Sequence, residues 1–263
     1  MENQSHTIQL FGISDKGSVR ADNQDTILLG ELSRGQKLAS GKPLVASTPL
    51  YLVVADGMGG AAGGLLAAET VTNISFRRLC DADSSDASSV SAALMEADKE
   101  IKARVQSNPE LRGMGAVATA CIFQDGRIFG AQVGDTRLYR FRGKSLARLT
   151  SDQTRVAELV KQGLLAEQDA ENHPEKHVVL QAIGPMENLE PVSFAESTAA
   201  DDVYLICSDG LTRHVNDQEI EAELGTARSL ESLGRRLLER AISGGGEDNI
   251  SIVLARIVGD STG

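Results

Sequence analysis

Residues 118–133 read Ala-Thr-Ala-Cys-Ile-Phe, then Gln124-Asp125-Gly126-Arg127, then Ile-Phe-Gly-Ala-Gln-Val. Two largely apolar runs flank a short polar turn with Asp-Gly at its centre. That pair tolerates the backbone of a type I′ or bulged turn, so the runs predict an antiparallel hairpin. Residues 138–141 follow as a third strand, closed similarly by Arg142-Gly143-Lys144. Outward from this hairpin, residues 8–13 and 26–29 read as strands around a polar turn. Residues 50–55 (LYLVVA) form a continuous apolar run, which fits a strand buried on both faces. Residues 203–207 (VYLIC) and 250–257 read as strands too.

Helices are predicted over 65–79, 88–106, 152–163 and 229–241. In the second, Val90, Leu94, Ala97, Ile101 and Val105 recur at three- and four-residue steps, giving one apolar stripe. Asn216 to Glu219 has the cap-and-Glu spacing that starts a helix. Residues 33–48 are aperiodic and read as a surface loop, and residues 164–176 are polar and irregular. Strands rich in hairpins, alternating with helix pairs, indicate an α+β fold with antiparallel sheet rather than a regular βαβ series.

The chain has 263 residues, enough for one large domain or two small ones with a sizeable core. It carries 26 Lys and Arg against 37 Asp and Glu, a net charge of −11. Such a surface repels phosphate backbones and anionic lipid, which disfavours nucleic-acid and membrane partners. Aromatics are 3% with no Trp, so base-stacking platforms are not expected. Cys80, Cys121 and Cys207 are too few and too scattered for a disulfide framework or a structural zinc site, and they read best as small buried hydrophobes. The opening Met-Glu-Asn-Gln-Ser-His has neither a basic nor an apolar stretch, and no run approaches the ~20 residues of a membrane span. A cytoplasmic protein is expected.

Several apolar strands run straight into an aspartate beside a glycine: Asp56-Gly57, Gly134-Asp135 and Asp209-Gly210. Glu247-Asp248-Asn249 precedes the last strand, and Asn23-Gln24-Asp25 precedes the second. One such Asp is usually a turn residue bonding its own backbone. Five at strand ends that share a sheet edge would converge, and uncompensated they would repel strongly. An all-oxygen cluster without nearby His or Cys favours Mg²⁺ or Mn²⁺. Two such ions bridged by a carboxylate and a water would hold a nucleophile for phosphoryl transfer.

Rival motifs are present. Gly57-Met58-Gly59-Gly60-Ala61-Ala62 fits a dinucleotide fingerprint, but Asp56 would stand beside the pyrophosphate and no acid-ended strand follows about twenty residues on. Cys207 to Arg213 has the C-x-x-G-x-x-R spacing of a cysteine phosphatase loop. There Ile206 precedes the Cys, His214 follows the Arg, and Asp209 inside the loop would raise the thiol pKa. Cys121 to Arg127 shares that spacing, but across a strand and a hairpin turn. No G-x-S-x-G exists, and His6, His173, His177 and His214 lie in polar segments.

Ser14 to Arg20 with Asn23-Gln24-Asp25, then Val54 to Gly60, resembles the metal-dependent serine/threonine protein phosphatases of type 2C. The likeness continues in order through Met114-Gly115, Gly134 to Tyr139, Leu149 to Asp152, Ala182-Ile183-Gly184, Cys207 to Leu211 and Glu247 to Ile250. It spans about residues 10–257 and resembles the compact bacterial members. The resemblance implies a single catalytic domain over 8–258. Its fold would be two antiparallel sheets packed as a sandwich with helices on both outer faces, four layers in all.

It also implies a role for each residue. Asp56 would bridge both ions, with the Gly57 carbonyl on one. Asp209 and Asp248 would ligate the other, and Asp25 would act largely through water. Asp135 would hold a third, weaker ion, and Arg20 would grip the substrate phosphate. Catalysis would rest on Arg20, Asp56 and Asp209, with a metal-bridging hydroxide attacking phosphoserine or phosphothreonine and no phosphoenzyme. The implied partners are phosphoproteins and an opposing bacterial serine/threonine kinase, and the chain is read as a monomer.

Three positions depart from the pattern. Ala61 stands where many members carry a His proposed as general acid, Gln153 replaces a frequent His, and Gln24 replaces a frequent Glu. The alanine keeps open a second reading, a catalytically weak phosphoprotein-binding regulator on the same fold. Residues 154–182 fall where the family has a flap beside the active site, and are expected to select substrates. His173 and His177, in that segment, are candidates to donate the proton that position 61 cannot.

Overall fold

The structure, a computed structural model, describes residues 7–82, 86–170 and 173–258. The expectations that touch the opening residues 1–6 and the pair 171–172 of the flap-like segment lie outside the described residues. So does the side chain at position 61.

Among the described residues, twelve strands form two six-stranded antiparallel sheets. One runs in the order β4 (Leu44–Ser47), β1 (Thr7–Asp15), β12 (Ile250–Ile257), β11 (Val203–Cys207), β8 (Arg137–Arg142) and β9 (Ser145–Arg148). The other runs β10 (Val192–Ser197), β7 (Arg127–Val133), β6 (Gly115–Gln124), β5 (Leu50–Met58), β2 (Asp25–Glu31) and β3 (Gln36–Leu38). Helices α1 (Gly60–Cys80) and α2 (Ala87–Ser107) cover the second sheet. Short helices α3 (Arg155–Lys161) and α4 (Glu167–Ala170) lie in the connection after β9. Helices α5 (Asp209–Thr212), α6 (Asp217–Thr226) and α7 (Leu230–Ser243) cover the first sheet.

Strand alternation assembles three cores from these four layers. On β5, Leu52 and Val54 point between the sheets while Tyr51, Val53 and Ala55 point toward α1. On β11, Tyr204 and Ile206 face inward, and Val203, Leu205 and Cys207 face the helices. Each central strand is therefore buried on both faces, which is why its sequence is continuously apolar rather than alternating.

The hairpin of β6 and β7 turns through Asp125 and Gly126, both at positive φ (50° and 68°), as a type I′ turn requires. The third strand, β8, does not continue that sheet; it crosses to the other one and pairs with β11 and β9. The segment read as a loop over 33–48 holds two short strands, β3 and β4, each on a sheet edge. Their side chains are mostly solvated, so neither left an apolar pattern. Strands β9 and β10 escaped prediction for the same reason. Helix α1 starts at Gly60, five residues before the predicted start, and α3 starts only at Arg155, with Thr154 as its N-cap, rather than at residue 152. At α6 the reading holds in detail: Asn216 Oδ1 accepts from Glu219 N, and Glu219 Oε2 accepts from Asn216 N, each at 3.0 Å.

Candidate active site

The five aspartates sit at strand ends, and antiparallel pairing decides which ends meet. Because β2 runs against β5, the start of β2 and the end of β5 coincide, and Asp25 pairs directly with Asp56. In the facing sheet β12 runs against β11, bringing Asp248, just before β12, to the end of β11 where Asp209 opens α5. Asp135 follows β7, which runs the same way as β5 because β6 lies between them. All five therefore occupy one end of the sandwich.

Hydrogen bonds lock the two sheets together there. Ser208 Oγ donates to Asp25 Oδ2 at 2.7 Å, and itself accepts from Ser251 N at 2.9 Å. Asn249 Oδ1 accepts from Gln24 N at 2.8 Å, while its Nδ2 donates to the carbonyls of Lys16 (2.9 Å) and Asp22 (3.0 Å). One buried amide thus pins the whole 14–25 turn that carries Arg20. Gly57 has no room for a side chain: a Cβ there would stand 2.1 Å from the Gly64 carbonyl oxygen. The close approach brings the first turns of α1 against the strand end.

The electrostatics are those of crowded acids. Asp25 is buried, and its carboxyl is pushed up to about 7 by that burial first, with Asp209 and Asp248 adding to it against hydrogen bonds from Ser208 and Ser251. Asp135 is likewise pushed up to about 7, by burial and then by Asp209 and Asp152, with Arg213 opposing. Asp56 is raised well above the usual carboxylate range by burial and then by Asp25, Asp209, Asp135 and Asp248. Asp209 is raised by burial, with Arg213 opposing.

Among the described residues, Asp25 Oδ1 and Asp209 Oδ1 are buried with no hydrogen-bond partner. Orphaned carboxylate oxygens in an all-oxygen, mutually repelling set fit hard divalent cations. Among the described residues, no three acidic, His or Cys side chains surround a common point closely enough to hold an ion in this conformation. Guanidinium groups sit on two of the acids, Asp209 and Asp248.

The Arg20 side chain is exposed at this end, and its Nη2 lies 2.8 Å from Asp248 Oδ2. Arg213, considered in the sequence only as part of a cysteine-phosphatase loop, is here a neighbour of the acids. Its Nε donates to Asp209 Oδ2 at 2.9 Å and its Nη1 lies 3.0 Å from Asp248 Oδ2. The i, i+4 spacing from Asp209 was the available signal.

The cysteine rival fails on geometry. Cys207 faces the outer core, and burial above all pushes its thiol up to about 12. The dinucleotide rival fails because β5 belongs to an antiparallel sheet. Gln24 Nε2 donates to the Gly60 carbonyl at 3.1 Å. Gln153 Oε1 accepts from Gly134 N at 2.6 Å and its Nε2 donates to the Glu190 carbonyl at 3.1 Å, so it anchors the turn bearing Asp135. His177 is exposed, and its imidazole is lowered by partial desolvation and then by Arg213 and Lys176, with Asp209 and Asp248 opposing. His173 instead accepts from Glu175 N within its own turn.

Comparisons with known proteins find this sandwich among phosphatases. A family model for protein phosphatase 2C matches residues 44–250. The serine/threonine protein phosphatase PstP of Mycobacterium tuberculosis is 34% identical over 246 residues, covering 93% of this chain and 44% of that protein. The chain thus spans under half the length of PstP. The serine/threonine phosphatase stp of Listeria monocytogenes is 33% identical over 250 residues, 92% of each chain. The crystal structure of M. tuberculosis PstP superposes with a TM-score of 0.84 at 31% identity, covering 96% of this chain and 100% of that one. The PstP catalytic domain in complex with two manganese ions matches with a TM-score of 0.80 at 31% identity, over 96% of this chain and 100% of that one. The chain belongs to the protein phosphatase 2C family.

Proposed function

We propose that this chain hydrolyses phosphoserine and phosphothreonine on proteins with the help of two divalent cations, Mn²⁺ or Mg²⁺. The observation that carries the reading is the meeting of Asp25, Asp56, Asp135, Asp209 and Asp248 at one end of the sandwich, with two buried carboxylate oxygens unpartnered. The manganese pair in the related PstP structure supports the same number here. Asp56 and the Gly57 carbonyl would serve the pair, Asp209 and Asp248 would hold one member, Asp25 would act through water, and Asp135 would take a weaker third ion. Bound ions of this kind supply Lewis acidity, lowering the pKa of water and offsetting charge on phosphoryl oxygens.

The remaining work falls to side chains of this protein. Arg20 offers a planar fork that pairs two phosphate oxygens, a geometry Lys does not reproduce. Ser208 and Asn249 hold Asp25 and the Arg20 turn in place. With alanine at position 61, the departing serine or threonine oxygen takes its proton from water. Arg20, Asp56 and Asp209 are the catalytic residues of this reading.

Residues 8–258 serve as one catalytic domain, and the segment 154–182 is its flap, selecting the sequence around the phosphosite. Among the described residues no helix is long and apolar enough to cross a membrane. The chain works as a monomer in the bacterial cytoplasm, in signalling, against a cognate serine/threonine kinase. One observation favours the second reading, a weakly catalytic phosphoprotein-binding regulator: Arg20 and Arg213 occupy carboxylates the metals need.

The test is Mn²⁺-dependent hydrolysis of p-nitrophenyl phosphate and of a phosphothreonine peptide, both expected to vanish in EDTA and in Asp56→Asn. Phosphopeptide binding without metal-dependent turnover would establish the regulator instead. Turnover surviving exhaustive chelation would remove the metal mechanism.

A further inference from the structure

We propose that Arg213 is a built-in counter-cation that competes with divalent metal for Asp209 and Asp248. The site is held shut by an internal ion pair and opens when metal displaces the guanidinium. The inference rests on the metal-site reading above and concerns what that site costs to load.

The local sequence dictates the contact. Asp209 opens α5 and Arg213 caps its far end, four residues later, so the two side chains share one face. Arg213 Nε and Nη2 both donate to Asp209 Oδ2. Its Nη1 lies 3.0 Å from Asp248 Oδ2, an oxygen that Arg20 Nη2 also reaches at 2.8 Å. Asp248 Oδ1 accepts from Asn249 N at 2.9 Å. Of the four carboxylate oxygens on these two acids, only Asp209 Oδ1 is left without a partner, and it is buried.

A divalent ion needs these lone pairs, and a guanidinium cannot remain on the same oxygens beside it. Two cations a few ångströms apart repel, strongly so where water is scarce. Water is scarce here: the side chains of Asp209 and Asp248 are 14% and 15% exposed, and that of Arg213 is 24% exposed. Arg20, 54% exposed, is free to swing into solvent and remains available for phosphate. Arg213 is the more enclosed of the two and the one bound to both acids. Arg213 lies in contact with both Asp209 and Asp248.

Two consequences follow. Metal affinity is weaker than the aspartates alone would give, and the metal-free fold is less burdened by repulsion. Arg213→Gln removes the charge while keeping a hydrogen-bonding amide, and Arg213→Lys keeps the charge but loses the planar fork.

The experiment is Mn²⁺ titration of chelator-stripped protein by calorimetry, with melting temperatures recorded in EDTA. Arg213→Gln is expected to bind Mn²⁺ at least about tenfold more tightly than wild type and to melt lower in EDTA. Arg213→Lys should fall between. Unchanged or weaker binding in Arg213→Gln, with wild type binding normally, overturns the inference alone. Should Arg213→Gln fail to fold, a Lys variant no tighter than wild type overturns it as well. If neither wild type nor Arg213→Gln binds Mn²⁺, the metal-site reading fails and the inference with it. Binding by Arg213→Gln where wild type shows none supports both.

Discussion

Asp25 and Asp56 stand directly opposite one another in the antiparallel pairing of β2 with β5. Directly opposed side chains on one sheet face lie about 5 Å apart at Cβ, and like charges in that position destabilise the pair. With Asp209 and Asp248 close by on the other sheet, this end of the sandwich concentrates negative charge.

The first prediction turns this into a pH dependence. The Asp25 carboxyl is pushed up to about 7 in the fold, mainly by burial. An unfolded Asp titrates near ~4, so the folded protein holds this proton more tightly. Its stabilising contribution is full below pH ~4 and is lost as pH rises through about 7. Asp25→Asn cannot ionise. In EDTA at pH 8 it should melt above wild type by on the order of 5 °C, the gap shrinking as pH falls through about 7 and closing only below pH ~4. Calorimetry across roughly pH 4–8 checks this, and a gap independent of pH would show that Asp25 carries no charge strain.

Arg20→Ala should raise KM for a phosphopeptide by a factor worth ~1.5–3 kcal/mol, the value of a charge-assisted hydrogen bond. Removing it also releases Asp248 Oδ2 from one of two guanidiniums, but Arg213 remains there. Metal affinity should therefore change little. Steady-state kinetics at saturating Mn²⁺ would show an unchanged KM if Arg20 lies outside the substrate site.

Cys207 packs among Leu205, Leu211 and Ile252 with its thiol pushed up to about 12 by burial, so almost no thiolate exists at neutral pH. Native protein treated with iodoacetamide should keep nearly full activity. Cys207→Ser should keep most activity while losing roughly 1–2 kcal/mol of stability, from a hydroxyl placed in an apolar core. A phosphocysteine trapped by acid quench would reverse this conclusion.

The flap prediction separates large from small substrates. Leu180 N donates to the Gln153 carbonyl at 2.7 Å, and Gln153 N donates to the Gly134 carbonyl at 2.9 Å, tying the segment's base to the Asp135 turn. Alanine substitution at His173, Glu175 and Lys176 should lower kcat/KM for phosphoproteins severalfold and spare p-nitrophenyl phosphate, which is too small to reach them. Equal losses on both substrates, or none on either, would mean the segment selects nothing.

Local physics made much of this protein legible in advance. The positive-φ demand at Asp125-Gly126, the capping box at Asn216 and Glu219, and the double burial of β5 each leave a mark within a few neighbouring residues. So does the placement of five aspartates at strand ends. What the linear order cannot carry is partnership between distant segments. That β8 leaves the β6–β7 sheet, that Asp25 opposes Asp56, and that Ser208 reaches Asp25 across the sandwich depend on which strand edges pair. Short solvated edge strands such as β3, β4, β9 and β10 are strands only because a neighbour supplies their hydrogen bonds. Arg213 is the sharpest instance. Its spacing from Asp209 is written in the chain, but its hold on Asp248, 35 positions further on, exists only because β11 and β12 lie side by side and exclude the water that would otherwise screen it.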